Sequence, residues 1–213
     1  MKKRPARHLP DGTVHVWVAA FASSAGGGAP GWIARVLAQY MPAGAAPRIV
    51  RAARGRPTLL NGQRLDFNVA HSGSRIALAL ARGARVGIDI ERAREVPSCG
   101  ALAREVFGEA AADAIGRLAE PQRSARFLAL WTLLEAAVKA EGGDVSQSFA
   151  RHRDAVLAAC EGVRTGPLDL RPIDFGDGYT AAVALSRPIA SIRVFGRGAG
   201  AAGPGPTRRR TPR

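Results

Sequence analysis

The sequence predicts an α+β fold and leaves room for two similar lobes, and three observations carry that reading. Runs with strand character stand at both ends of the chain, as in VHVWVAA near the start and YTAAVAL and SIRVF near the end. The middle, from about residue 98 to residue 141, spaces its apolar residues as helices do. A strand–helix–strands order occurs twice, although the sequence itself contains no internal repeat. At 213 residues the chain can bury a real core as one domain or as two fused lobes.

Taken in order, Val14 to Phe21 alternates like a strand and Gly31 to Tyr40 has the spacing of a short helix. The basic stretch RAARGRPTLLNGQR follows, in which Gly55, Pro57 and Asn61-Gly62 break regular structure. FNVAHS then reads as a strand. RIALAL and VGIDIE, joined by ARGAR with Gly83 at its tip, read as a β-hairpin. Helices are expected over about Ser98 to Phe107, Glu109 to Leu118 and Pro121 to Glu141; proline suits the first turn of the last, and Gly142-Gly143 ends it. One more helix near His152 to Cys160 precedes the strands LDLRPIDF, YTAAVAL and SIRVF, with GDG as a turn between the first two.

The formal charge is +14, and it is spread along the chain rather than gathered in one patch. Part of the excess lies in the ends: Lys2, Lys3, Arg4 and Arg7, then Arg208, Arg209, Arg210 and Arg213. From Gly196 onward GRGAGAAGPGPTRRRTPR has too little apolar surface to offset the entropy of ordering, so a disordered basic tail is expected. A basic nucleic-acid-binding protein is one reading of such a charge, but the few aromatic residues are not interleaved with basic ones as a stacking platform requires. Cys99 and Cys160 have no metal or redox spacing and read as reduced structural thiols. No apolar run approaches the ~20 residues of a membrane span and no signal-peptide core follows the N-terminus, so a cytoplasmic location is expected.

Candidate chemistry sits in four residues. Asp89 and Glu91 in VGIDIE project from one side of a strand, about 7 Å apart. Glu135 and Lys139 in WTLLEAAVK lie one helical turn apart on one face, and Lys139 is the single lysine among three that is not at the N-terminus. Each pair alone has an ordinary reading, as solvated strand carboxylates or as a helix-surface ion pair. Two features argue for more. The acidic pair is embedded in an apolar run, and the helix pair is flanked by Leu130, Trp131, Leu133 and Val138, which implies partly buried charges that need partners or a metal. Together the four residues suit a hard divalent ion with a proton-shuttling amine beside it. His71, next to Ser72 and a glycine, suits either a hydrogen-bonded structural role or contact with a phosphate, and Arg56 places a cation in the restricted GRP loop.

In this order the segments GRP, FNVAHSG, VGIDIE and WTLLEAAVKAEGG resemble the motifs of the 4′-phosphopantetheinyl transferase superfamily, surfactin-synthetase-activating type. That family shows a G-K/R-P loop, an F-N-x-S-H-S run, a G-I-D-I-E strand and a W-S/T-x-K-E-A-x-x-K helix. The resemblance covers roughly Arg35 to Leu185, including GDGYTAAVAL against the family's P-G-Y-x-A-A-x-A strand. It implies transfer of the phosphopantetheine arm of coenzyme A to a serine of an apo acyl- or peptidyl-carrier protein, with release of 3′,5′-ADP. It further implies Asp89, Glu91 and Glu135 as ligands of Mg²⁺ (or Mn²⁺), with Glu135 and Lys139 as the catalytic pair. Arg56, His71 and Ser72 are implied on the coenzyme A side.

The implied fold is two lobes related by a pseudo-twofold in one monomeric chain, with the active site in the cleft between them. Residues 1–84 would form a shortened N-terminal lobe, 85–195 the lobe with the metal and catalytic residues, and 196–213 the basic tail. Two positions depart from the family pattern. Ala70 replaces the serine before the histidine, removing a hydroxyl expected to bond a phosphate, and Leu134 replaces the lysine before the helical glutamate, removing an ammonium. An atypical paralogue that binds coenzyme A or a carrier without efficient transfer is the alternative reading.

Overall fold

Val14, Val16 and Val18 alternate along the first strand, β1 (Thr13–Ala20), and are all buried, while His15 and Trp17 face the opposite side. Both faces of the strand are therefore covered, and this two-sided burial organises the fold. The computed structural model describes residues 6–20, 28–51, 56–62, 64–142, 145–176 and 178–196. The expected tail from residue 197, the N-terminal basic residues 2–4, Phe21, Gly143 and the Asp177 of the expected turn lie outside the described residues.

Helix α1 (Gly28–Ala38) is followed by a small antiparallel pair, β2 (Ile49–Arg51) and β3 (Pro57–Leu59), of which β3 lies inside the turn-rich basic stretch. Next come β4 (Leu65–Ser72), β5 (Arg75–Arg82) and β6 (Val86–Arg92). Helices α2 (Cys99–Phe107), α3 (Glu109–Gly116), α4 (Gln122–Glu141) and α5 (Val145–Cys160) precede β7 (Asp169–Asp174), β8 (Tyr179–Leu185) and β9 (Ser191–Phe195). The expected long helix starts one residue after Pro121 and ends at Gly142, whose φ of 71° no side-chain-bearing residue adopts cheaply.

Two sheets form the centre. The first has the order β4-β5-β1-β9 and the second β6-β8-β7. They pack face to face: Val14, Val16, Ala77 and Ala79 of the first share a buried cluster with Val86, Ile88, Ile90 and Val183 of the second. On the outer face of the first sheet, α1 sets Val36 and Leu37 against Phe67, Leu78 and Leu80. On the outer face of the second, α4 is buried over most of its circumference, with Ala136 and Ala140 in one cluster with Ala182 and Ala184. No helix among the described residues is long and apolar enough to cross a membrane.

One expectation is corrected. RIALAL and VGIDIE do not form a hairpin: β5 is flanked by β4 on one edge and β1 on the other, so β6 passes to the second sheet and pairs with β8. The hairpin is instead β4–β5, turning at Gly73, whose φ is 53°. β9 returns to the first sheet and runs parallel to β1.

Candidate active site

The site begins with a glycine. On β6, alternation puts Gly87, Asp89 and Glu91 on the face toward α4, while Val86, Ile88 and Ile90 point into the space between the sheets. A Cβ on Gly87 would stand 2.0 Å from the Ala136 carbonyl oxygen and 2.6 Å from the Ala140 nitrogen. Only a glycine lets the helix lie that close, and the closeness brings the acidic strand within reach of Glu135 and Lys139.

There the ammonium of Lys139 donates to Asp89 Oδ1 at 2.5 Å and lies 3.7 Å from Glu135 Oε2. Glu135 is 15% exposed and Lys139 29% exposed, so both combine burial with an opening to solvent. Asp89 is nearly covered, and its second oxygen, Oδ2, is buried without a hydrogen-bond partner. Burial pushes its carboxyl from the ordinary 3.8 up to about 6; the Lys139 ammonium opposes that shift, and the charges of Glu135 and Glu91 add to it.

Glu91 is held from the other side. Ser72 Oγ donates to Glu91 Oε2 at 2.9 Å and accepts the Arg92 amide at 3.1 Å, and Arg94 lies 3.7 Å from the same carboxylate oxygen. Ser72 therefore orients a carboxylate. Among the described residues no three His, Cys, Asp or Glu side chains close into a ready-made metal cage. What the site offers is an oxygen donor set with an unsatisfied buried carboxylate oxygen, which suits a hard cation that keeps water and substrate oxygens in its shell.

His71 is exposed at the end of β4, one residue from Ser72. Arg56 is not: its guanidinium is 8% exposed and donates to the carbonyls of Lys139, Ala140 and Val86 and to Asp66 Oδ2. A bond from those nitrogens to a ligand would displace one of these partners. The two departures from the family pattern also move. Ala70 is 5% exposed in the cluster between the sheets, and Leu134 is fully buried in the cluster around α4, so neither position presents a group to solvent.

Sequence reasoning missed Asp66 and Asn68. Asp66 Oδ2 accepts the Val86 amide at 2.7 Å, Asn68 Oδ1 accepts the Ile88 amide at 3.2 Å, and Ser72 accepts that of Arg92. A row of β4 side chains thus binds the backbone edge of β6. The signal was the alternation of polar residues in LDFNVAHS, two apart on a strand whose other positions are mostly apolar.

The 4′-phosphopantetheinyl transferase superfamily profile matches residues 85–180, which include Asp89, Glu91, Glu135 and Lys139. Residues 85–180 are thus the part of the chain that is similar to this superfamily. The chain is also similar to the 4′-phosphopantetheinyl transferase AcpT of Salmonella typhi, 38% identical over 107 residues, 47% of this chain and 53% of the relative. To the AcpT of Escherichia coli K12 it is 35% identical over 119 residues, covering 54% of this chain and 61% of the relative. The chain thus spans little more than half the length of these curated relatives. Arg56, His71 and Ser72 precede the segment matched to the superfamily.

Proposed function

We propose that this protein transfers the 4′-phosphopantetheine group of coenzyme A to a serine hydroxyl of an apo acyl- or peptidyl-carrier protein, releasing 3′,5′-ADP. One observation carries the reading: Asp89 and Lys139, 50 residues apart in sequence, meet beside Glu135 in one partly open place inside the segment similar to the superfamily. The relatives' printed activity supports the same reaction. Asp89, Glu91 and Glu135 would hold Mg²⁺ or Mn²⁺, and the bound ion would neutralise charge on the pyrophosphate.

The chain's own residues supply the proton transfers. Glu135 takes the serine proton as the hydroxyl oxygen bonds to the phosphorus that carries the pantetheine arm. The bond from that phosphorus to the bridging oxygen breaks with its electron pair on 3′,5′-ADP, and Lys139 neutralises or protonates that oxygen. Asp89 keeps the ammonium beside the reaction, Ser72 and Arg94 fix the direction of Glu91, and His71 contacts a phosphate of coenzyme A. The two packed sheets, each with helix on its outer face, are read as the two lobes of a monomer related by a pseudo-twofold. The excess of +14 charge would draw an acidic carrier toward the site.

The test is to incubate the protein with apo carrier, coenzyme A and Mg²⁺ and to look for the phosphopantetheine mass increase on the carrier. Transfer that disappears in Glu135→Gln supports the reading. No increase with any apo acyl- or peptidyl-carrier sinks it and leaves a protein that binds coenzyme A or a carrier without transfer.

A further inference from the structure

Five hydrogen bonds leave the two terminal nitrogens of one arginine. Nη1 of Arg56 donates to the Lys139 carbonyl at 2.5 Å and the Ala140 carbonyl at 3.0 Å. Nη2 donates to Asp66 Oδ2 at 2.6 Å, the Val86 carbonyl at 2.9 Å and the Phe67 carbonyl at 3.5 Å. These partners belong to the last turn of α4, the first residue of β6 and the start of β4. The two helix carbonyls are among the four that an α-helix leaves without an internal donor, at the negative end of its dipole. Asp66 completes the connection by accepting the Val86 amide with the oxygen that also receives Arg56.

We propose that Arg56, held by Asp66, is a positioning residue: it locks the end of α4 to the start of β6 and thereby sets Lys139 and Glu135 against Asp89. This rests on the transfer reading above. Arg56 bonds the carbonyl of Lys139 itself, so its loss frees the backbone from which the ammonium reaches 2.5 Å to Asp89. Val86 lies three residues before Asp89 on the same strand. Only a planar guanidinium spans three elements in this way, because an ammonium is a point donor on a flexible stem. Burial pushes the Arg56 guanidinium below its ordinary value and the Asp66 carboxyl above its own, in each case against the partner's charge. The pair is thus held at a cost in solvation, and what it supplies is direction rather than stability.

Two readouts on Arg56→Met and Arg56→Lys test this. In steady-state transfer from coenzyme A to apo carrier, kcat should fall on the order of 100-fold in Arg56→Met, with KM for coenzyme A within about twofold and Arg56→Lys intermediate. In hydrogen exchange followed by mass spectrometry, peptides covering 138–142 and 86–88 should lose protection while those covering the first turns of α4 and β1 keep it. A rise in KM with kcat held would make Arg56 a ligand contact and overturn the proposal. So would unchanged exchange at 138–142, or an equal loss everywhere, which would mark a general stabiliser. Should Arg56→Met not fold, Arg56→Lys is read by the same criteria. Should the wild-type protein transfer nothing, the exchange pattern alone decides the lock, separately from the transfer reading.

Discussion

Lys139 Nζ lies 2.5 Å from Asp89 Oδ1, while the other oxygen of the same carboxylate is buried without a partner. The ammonium thus satisfies half of a carboxylate and leaves the other half for a ligand. Lys139→Met removes the partner of a buried charge, so the variant should lose about 1–2 kcal/mol of stability in urea unfolding, a discounted value because Lys139 is itself partly exposed. Transfer should fall at least 100-fold. Unaltered transfer in Lys139→Met would remove this residue from the mechanism.

The proton on Asp89 gives a prediction with a sign. Its folded value is raised from 3.8 to about 6, so between about pH 4 and 6 the native state binds more protons than the unfolded chain. The contribution of Asp89 to stability therefore falls as pH rises through that window and is least favourable above it. Asp89→Asn should flatten this slope in denaturation curves taken from pH 4 to 7. Transfer should move the opposite way: it needs the ionised carboxylate, so kcat/KM should rise through about pH 6. An acid limb that stays near 6 in a still-active Asp89→Asn enzyme would assign it to another group.

Gly87 permits the contact of helix and strand that builds the site. Gly87→Ala puts a methyl group against backbone atoms of Ala136 and Ala140, so α4 must move away from β6. The expected cost is about 3 kcal/mol, read by chemical denaturation, with transfer falling more than stability alone explains. A Gly87→Ala protein of wild-type stability would show that α4 and β6 are not so closely packed.

Along β4 the acceptor row serves the amides of Val86, Ile88 and Arg92, but Ala70 offers no oxygen at the step opposite Ile90. Asn68→Ala should cost about 1–3 kcal/mol by leaving the buried Ile88 amide without that acceptor. Ala70→Ser should add about 0.5–1 kcal/mol by supplying the missing one. Thermal or urea melts distinguish the pair, and a destabilised Ala70→Ser would mean that this position is too tightly packed for a hydroxyl.

Much of this was legible in the chain. α4 and β8 stand within a residue of where the sequence put them, because Pro121 and Gly142 bound the one and a glycine turn precedes the other. The site residues were legible as two pairs, since alternation on a strand and the helical turn are local rules. The expected β5–β6 hairpin does not form, because a short turn between two strands says nothing about which edges are already occupied. Ala70 and Leu134 lack the hydroxyl and ammonium of the family pattern, and the fold buries both among apolar neighbours, which residue type alone does not show.

The sequence by itself determined the α+β class, the four candidate residues and which of them share a face, because those follow from periods of 2 and 3.6 and from residue type. Only the tertiary structure decided that the two pairs meet, that Ser72 holds Glu91, and that Arg56 is buried against the end of α4. Such contacts join segments from 19 to 83 residues apart. They depend on how closely α4 approaches β6 and how β4 lies along its edge, distances set by the packing of the whole core.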